Sequence, residues 1–375
     1  MTMVVYMATA AWAVALAFVA RWVYMKKSLQ SKPFVGKPVS ILFQNGWGVF
    51  LLLAFASLLL PLLVSGLRYD VGTDYLYSYV PMFHAVGEGA GIGTSIEPGM
   101  WMLIKLLQLF GCGSEALFVA TTLVILAFFW AGMFELSDFP WYSVALFFLA
   151  ECFFSSMNAV QQYMGLAIVF WGFRYVRNPC FWKYALCVLA GCTFHFATIV
   201  MLPLFLFAHF KFHPVFGLGA VAVFTMLNAP INILLEWAIS KTPYAPYIGS
   251  QFQMGYQYEI GKLVIHFFVL ILAVYYYHQK DNAQDPLFRF LFYCHLLLTF
   301  LMMNLNIMPQ ANRIGISLEI VHLLLLPRLV MSEDNKFVRV AVAAIPALLW
   351  GQLLYEEVFI KGWFAVVPYQ SVLFL

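Results

Sequence analysis

The sequence predicts an all-α polytopic integral membrane protein with about 12 transmembrane helices. Of its 375 residues, 63% are hydrophobic and only 10% are charged, whereas a soluble domain carries roughly 25% charged residues. Apolar runs near or above the roughly 18 residues that cross the hydrocarbon core of a bilayer recur along the whole chain. Because most of the chain cannot cover a water-facing surface, residues 1–375 are expected to form a single transmembrane domain.

The positions of the basic residues predict the orientation of the helices, because cytoplasmic loops are enriched in Lys and Arg. With the N-terminus outside, 14 of the 20 Lys and Arg residues lie on the cytoplasmic side. This orientation requires that residues 99–109 form a re-entrant or interfacial outer-face helix, and that the chain turns near Phe194-His195. It defines two outer-face segments, a loop over residues 66–112 and a C-terminal tail over residues 356–375.

The first outer-face loop begins with a basic residue among acids and ends with another acid. Arg68 follows an apolar run directly, with Asp70 and Asp74 just beyond it, and Glu97 closes the loop. An arginine at this depth can bind a phosphate, or it can reach the interface and pair with Asp70 or Asp74. The residues alone leave both interpretations open.

Amides and a histidine are expected at the same face. Asn158 and Gln161 have the spacing of a helix N-cap and its capping box. Together with Gln162, these amides also suit a site for hydroxyl groups or an anion at a helix N-terminus. His195, at the expected outer turn, is either a buried structural residue or a base whose pKa lies near ambient pH.

A later apolar run begins with a further arginine. Arg313 stands at its expected outer mouth, and a guanidinium can grip a phosphate through two hydrogen bonds. Glu319 lies six residues, or about 9 Å, further along the helix. Its spacing to His322 places these two side chains on nearly the same face. Arg313 is the strongest single candidate for phosphate binding.

Several classes of function are excluded by what the sequence lacks. It contains no Walker A, HExxH or GxSxG motif, and its six cysteines show no CxxC spacing. We therefore expect no cofactor and no metal site. The formal net charge of +3 gives no indication of nucleic-acid binding. An activated, lipid-borne substrate would have to supply the energy for any reaction.

A set of short motifs resembles those of EpsG-type membrane proteins, a family that includes Wzy-type O-antigen and exopolysaccharide polymerases. The run from Arg68 to Tyr75, with Tyr79, is similar to the first outer-loop signature of the family. Further matches follow in family order at Glu97-Pro98, Asn158 with Gln162, Phe194-His195 with Leu202-Pro203-Leu204, Asn312-Arg313-Ile314, and Val367-Pro368-Tyr369. The chain departs from the family at Gln161, where an arginine is usual.

The resemblance implies a GT-C-like polymerase architecture and a metal-independent glycosyltransferase. Such an enzyme would transfer a glycan from undecaprenyl diphosphate to a lipid-linked repeat unit, at the periplasmic face of the bacterial cytoplasmic membrane. The acceptor hydroxyl needs a base, for which His195, Asp74 and Glu97 are the candidates. Substrate binding is expected from the remaining polar residues of that face: Arg68, Arg313, Asn158, Gln161, Gln162, Glu319 and Tyr369.

The expected partners are undecaprenyl-diphosphate-linked glycans and membrane lipid, with a chain-length regulator as a candidate protein partner. Two other functions stay open at this point. One is a glycosyltransferase that uses a polyprenyl-phosphate sugar, with Asp70 or Asp74 as the catalytic acid. The other is a flippase or transporter of lipid-linked oligosaccharides, against which stands the absence of an internal repeat.

Overall fold

The computed structural model describes residues 2–26, 47–93, 96–241, 245–248, 260–304 and 311–374. Within these residues the chain is helical, and its only β-type pairing is one isolated antiparallel bridge between Arg68 and Ser371. The all-α fold class is therefore confirmed. The basic loop around Lys32, expected on the cytoplasmic side, lies outside the described residues.

The described chain divides into two compact units, of which the first carries most of the candidate residues. This unit comprises Met1–Gly172, Cys187–Phe196 and Leu354–Leu375. Its helices are α1 (Thr2–Lys26), α2 (Trp47–Gly66), α3 (Val80–Gly87), α4 (Pro98–Leu109), α5 (Glu115–Leu136), α6 (Pro140–Leu149), α7 (Cys152–Ser156) and α8 (Val160–Gly172).

The second unit comprises Phe173–Leu186 and Ala197–Leu353. Its helices are α9 (Arg174–Arg177), the first part of α10 (Phe181–Cys192), α11 (Met201–Leu204), α12 (Pro214–Met226), α13 (Asn228–Ile239), α14 (Ile260–Tyr276), α15 (Pro286–Asn304), α16 (Ala311–Glu319), α17 (His322–Ser332) and α18 (Lys336–Leu354). Helix α15 packs against α12, α14, α16 and α17, and α14 also contacts α17.

Membrane residence rests on the length and apolarity of these helices. Six of them are long and apolar enough to cross a bilayer, and five apolar helical stretches are shorter. Each expected apolar run coincides with a helix or a pair of helices, so the helices themselves follow the prediction. The number of 12 spans and the GT-C-like architecture remain predictions.

The core of the first unit is built from aromatic side chains on helices that approach closely. The Phe129 ring centroid of α5 lies 5.0 Å from that of Phe170 on α8 and 5.1 Å from that of Phe147 on α6. A Cβ atom at Gly132 would come within 2.7 Å of the Phe170 ring. The glycine thus permits the contact between α5 and α8, as small residues do where membrane helices pack without a hydrophobic driving force.

Two breaks in the first unit bear on the predicted topology. Helix α4 has 12 residues, so its length of about 18 Å falls short of the hydrocarbon thickness. Helix α10 ends at Cys192, and Phe196 begins a separate 3₁₀ turn. The predicted turn at Phe194-His195 is therefore confirmed.

A third break was not predicted. The apolar stretch over residues 141–157, for which the sequence predicts one span, is interrupted at Glu151, which has a left-handed backbone (φ 60°) between α6 and α7. The sequence makes Lys105 a possible partner of Glu151, but the Lys105 ammonium donates to the Val86 carbonyl at 2.7 Å.

Three of the basic residues expected on the cytoplasmic side, Lys280, Arg328 and Arg339, lie at one end of the second unit. Lys280 contacts Asp334 at 2.5 Å, and Arg328 lies 3.5 Å from Asp285. Arg339 donates through Nε to the carbonyl of Glu333 at 2.8 Å. This grouping agrees with the charge partition on which the orientation was predicted.

Candidate active site

Two stretches of chain that are distant in sequence pair at one end of the first unit. After α2, the Tyr69 N–H donates to the Gln370 carbonyl at 3.1 Å, and the Gly72 N–H donates to the Ala365 carbonyl at 2.9 Å. The beginning of the first predicted outer-face loop and the C-terminal tail therefore lie side by side. Several of the candidate residues lie beside this pairing.

The buried side chain of Arg68 connects the first of these stretches to the segment before α8. Its side chain is only 1% exposed. Nε donates to the Val71 carbonyl at 3.2 Å, Nη2 donates to the Met157 carbonyl at 3.0 Å, and Nη1 donates to the carbonyl of Ser65. The guanidinium thus joins the end of α2 to the segment before α8.

Arg68 does not pair with the acids that follow it. Its hydrogen bonds go to the backbone carbonyls and to the Ser65 hydroxyl, so of the two interpretations left open, pairing with Asp70 or Asp74 is not the one that the structure shows. The guanidinium also lies over the Phe118 ring at 4.8 Å. Burial lowers the pKa of Arg68 to about 10, which still leaves it charged at neutral pH. In this arrangement its contacts are structural.

Asn158 fastens the first loop and the tail to the beginning of α8. Its Oδ1 accepts from the Thr73 hydroxyl at 2.7 Å, and its Nδ2 donates to the Phe364 carbonyl at 3.0 Å. The prediction of an N-cap with Gln161 in a capping box was wrong. Tertiary partners take both amide atoms of Asn158, and α8 begins at Val160.

Tyr79 bridges the turn into α8. Its hydroxyl donates to the Asn158 carbonyl at 3.0 Å and accepts from the Gln161 N–H at 3.4 Å. Burial raises the pKa of this hydroxyl, so it stays protonated and able to donate. The sequence showed Tyr79 only as part of a motif and gave no indication of this bridge.

A helix start and a turn bring the catalytic candidates together. Glu97 directly precedes α4, whose first residue is Pro98. The Gly99 N–H donates to the Thr193 carbonyl at 2.7 Å. A Cβ atom on Gly99 would come within 2.9 Å of that same oxygen and 3.0 Å of the Phe194 ring. Only glycine allows α4 to approach this turn so closely.

The result of this approach is a contact between Glu97 and two other candidates. The Nδ1 atom of His195 lies 3.3 Å from Oε1 of Glu97. The Nε2 of Gln161 donates to the other carboxylate oxygen, Oε2. The side chains of His195 and Glu97 are 12% and 15% exposed, so water reaches the pair only at its edge.

The contact with Glu97 determines which nitrogen of His195 can act as a base. A carboxylate beside Nδ1 favours the tautomer that carries the proton there and leaves the lone pair on Nε2. Nε2 is buried and has no hydrogen-bond partner among the described residues. The Glu97 carboxylate orients the His195 imidazole, and Nε2 of that ring carries the lone pair. This is the arrangement of an oriented general base.

Three other candidate residues of the first unit, Asp74, Gln162 and Tyr369, are not part of the contact between Glu97, Gln161 and His195. Asp74 is half-buried and directly precedes the helical turn Tyr75–Tyr79. Gln162 is buried, one residue after Gln161. Tyr369 is part of the tail, where its hydroxyl donates to the Val64 carbonyl at 3.1 Å. The structure gives Tyr369 a role in holding the tail.

Arg313 and Glu319 belong to the second unit, at opposite ends of α16. The Arg313 side chain is exposed, and Glu319 is half-buried. Of the two candidate arginines, Arg313 is therefore the one with its side chain at the surface. His322, expected on the same face as Glu319, is buried at the beginning of α17.

The candidate residues of both units lie within a stretch of the chain that a family model matches. The model of the EpsG family matches residues 51–371, which includes every candidate residue of both units. The chain belongs to the EpsG family. No curated protein and no solved structure is matched. In this member of the EpsG family, Gln161 binds Glu97 through its amide.

Proposed function

We propose that this EpsG family member is a polysaccharide polymerase that transfers a growing glycan from a polyprenyl diphosphate to a lipid-linked repeat unit. The observation that carries the proposal is the His195–Glu97 contact, with Nε2 of His195 buried and unoccupied. Glycosyl transfer to a hydroxyl group needs a base at the acceptor, and this contact supplies one. Family membership gives the class of reaction.

In the proposed reaction, the acceptor hydroxyl gives its proton to Nε2 of His195 as its oxygen attacks the anomeric carbon of the donor. A new glycosidic C–O bond forms, and the bond from the anomeric carbon to the diphosphate oxygen breaks. The polyprenyl diphosphate leaves with the electron pair. Glu97 stabilises the imidazolium that forms, and Gln161 keeps the carboxylate in position.

Negative charge develops on the leaving diphosphate in the transition state, and fixed positive charge beside it stabilises that charge. The surface position of Arg313 supports a role in binding the diphosphate through two hydrogen bonds. Arg68 is proposed as a positioning residue, because its N–H groups already serve the carbonyls around it. Arginine, rather than a metal ion, is the proposed stabiliser of the leaving group.

The membrane face of the reaction is also part of the proposal. The grouped basic residues of the second unit support a cytoplasmic end for that unit. With the N-terminus outside, as the charge partition along the sequence predicts, the segments that carry Glu97 and His195 would face the periplasm of a bacterial cytoplasmic membrane. Both lipid-anchored substrates would meet the enzyme there.

The deciding experiment uses purified protein in lipid nanodiscs with a defined lipid-linked repeat unit. We expect the wild-type chain to lengthen the glycan and release polyprenyl diphosphate, and His195→Gln to do neither above background. Transfer of single sugars from a polyprenyl-phosphate donor would instead show the alternative glycosyltransferase. Movement of the repeat unit across a bilayer without elongation would show a flippase.

A further inference from the structure

Three histidines meet in the interior of the second unit. His266 lies on α14, His295 on α15 and His322 on α17, and each is at most 2% exposed. One ring nitrogen of each residue lies within 4.8 Å of the corresponding atoms of the other two. The proposed glycosyl transfer uses none of these side chains.

The hydrogen bonds within the cluster fix the state of the central ring. Nε2 of His295 donates to the backbone carbonyl of His266 at 3.0 Å, so the lone pair of this ring is on Nδ1. That Nδ1 lies 2.9 Å from Nε2 of His322. The lone pair of His295 is therefore directed toward its neighbours inside the cluster.

This pattern is the one that metal-binding histidines show. A ligating imidazole almost always donates its other N–H to a carbonyl or carboxylate, which orients the ring. His295 has that bond already. Nδ1 of His322 is buried and has no hydrogen-bond partner among the described residues; in the neutral ring it can carry the proton instead, which frees Nε2 to bind an ion.

The distances suit a small divalent ion. Zinc–nitrogen bonds of about 2.0–2.1 Å in a tetrahedron place neighbouring ligand nitrogens roughly 3.3 Å apart. The His295–His322 contact of 2.9 Å would widen slightly to admit the ion, and His266 would move closer. Nδ1 of His266 is buried with no hydrogen-bond partner among the described residues, a costly state that an ion would relieve.

A purely packed histidine cluster is the alternative. Packing explains the contact between the Trp350 and His322 rings, whose centroids are 5.1 Å apart. It does not explain why Nδ1 of His266 is buried without a hydrogen-bond partner among the described residues. A bound dication needs a countercharge in an apolar bundle. Glu319 is half-buried one turn before His322, and the fourth position of a three-histidine site accepts hydroxide.

We propose that the second unit binds a divalent transition-metal ion of the zinc class through His266, His295 and His322. The ion would join α14, α15 and α17. This role is structural and independent of the proposed transfer, so activity is not its readout.

The test measures metal in the purified full-length chain, isolated through an affinity tag that contains no histidine. After dialysis against zinc, we expect one ion per chain by mass spectrometry, and a higher unfolding temperature than in chelator-treated protein. His295→Ala and His322→Ala should lose the ion and the thermal shift. The matched control is His278→Ala, which removes an exposed histidine of the same unit that stacks with His213.

A second measurement on the wild-type chain does not depend on the variants folding. Cobalt in place of zinc should give the intense visible absorption of a tetrahedral ion, lost on adding excess zinc. The absence of bound metal would overturn the proposal. Metal that remains in His295→Ala would overturn it too, and so would metal that is lost from His278→Ala. This result does not depend on whether the protein forms polymer.

Discussion

Nδ1 of His195 lies 3.3 Å from Oε1 of Glu97, although 98 residues separate them in sequence. The contact exists because two local features coincide: α4 begins immediately after Glu97, and α10 ends three residues before His195. Gly99 lets the helix start and the turn approach each other. A carboxylate so placed orients the ring.

The first prediction concerns this pair. Glu97→Gln and His195→Gln should each lower the rate of polymer formation by about 10²- to 10⁴-fold, the usual contribution of a general base. Because the two residues act as one unit, the double variant should be little slower than the slower single variant. Initial rates in nanodiscs measure this.

The matched control is Glu88→Gln, which removes an exposed acid of the same loop and should leave the rate unchanged. Additive losses in the double variant would mean that Glu97 and His195 act independently, and the dyad would have to be abandoned.

A second prediction tests the close approach at Gly99. In Gly99→Ala, the new methyl group would meet the Thr193 carbonyl at 2.9 Å, so the turn that carries His195 must move away from Glu97. Overpacking of this kind costs about 1–3 kcal/mol. Polymer formation should fall by at least about tenfold, as seen on a glycan ladder gel.

Gly91→Ala is the control for this variant, because nothing lies within 4 Å of the added methyl group. It should give a full ladder. A full ladder from Gly99→Ala as well would show that the distance between helix start and turn does not matter for activity.

The sequence predicted the helices well and their tertiary partners poorly. Apolar runs and charge placement located the helices, the short α4 and the turn at His195, because these depend on local composition. Asn158 was predicted as a cap because spacing reports only neighbours along the chain. The Thr73 hydroxyl and the Phe364 carbonyl, which take its amide, come from distant segments.

The same limit explains what the sequence missed elsewhere. Glu97, Gln161 and His195 were each candidates, but no spacing rule joins residues on three separate segments. The cluster of His266, His295 and His322 escaped for the same reason, since a motif search detects metal ligands only at short spacings. Phosphate binding stayed open for Arg68 because the burial of its side chain cannot be predicted from its neighbours in the sequence.

A third prediction concerns the bridge at the beginning of α8. Tyr79→Phe removes the hydroxyl that joins the Asn158 carbonyl to the Gln161 N–H. Losing a buried hydrogen bond of this kind costs about 1 kcal/mol, so the unfolding temperature of the solubilised protein should fall by a few degrees. Tyr77→Phe, at a side chain that is 89% exposed, should not change it. Equal unfolding temperatures for both variants would show that the bridge is not formed.

A fourth prediction concerns Gln161, where the resemblance implies that an arginine is usual. An arginine there would donate to Glu97 in place of the amide, so Gln161→Arg should keep polymer formation within a few-fold of wild type. Gln161→Leu leaves Oε2 of Glu97 without its donor and should lower the rate about tenfold. Rates in nanodiscs measure both, and an inactive Gln161→Arg would mean that the amide itself binds substrate.

The last prediction separates the two arginines. Arg68→Leu removes the donors to the Val71 and Met157 carbonyls, and leaving a buried carbonyl unpaired costs about 1–3 kcal/mol. The variant should therefore unfold at a clearly lower temperature in detergent and accumulate less in the membrane. Arg313→Leu changes a surface side chain and should keep the wild-type unfolding temperature while losing polymer. Wild-type stability in Arg68→Leu with lost activity would instead assign Arg68 to the substrate diphosphate, as the family resemblance implies.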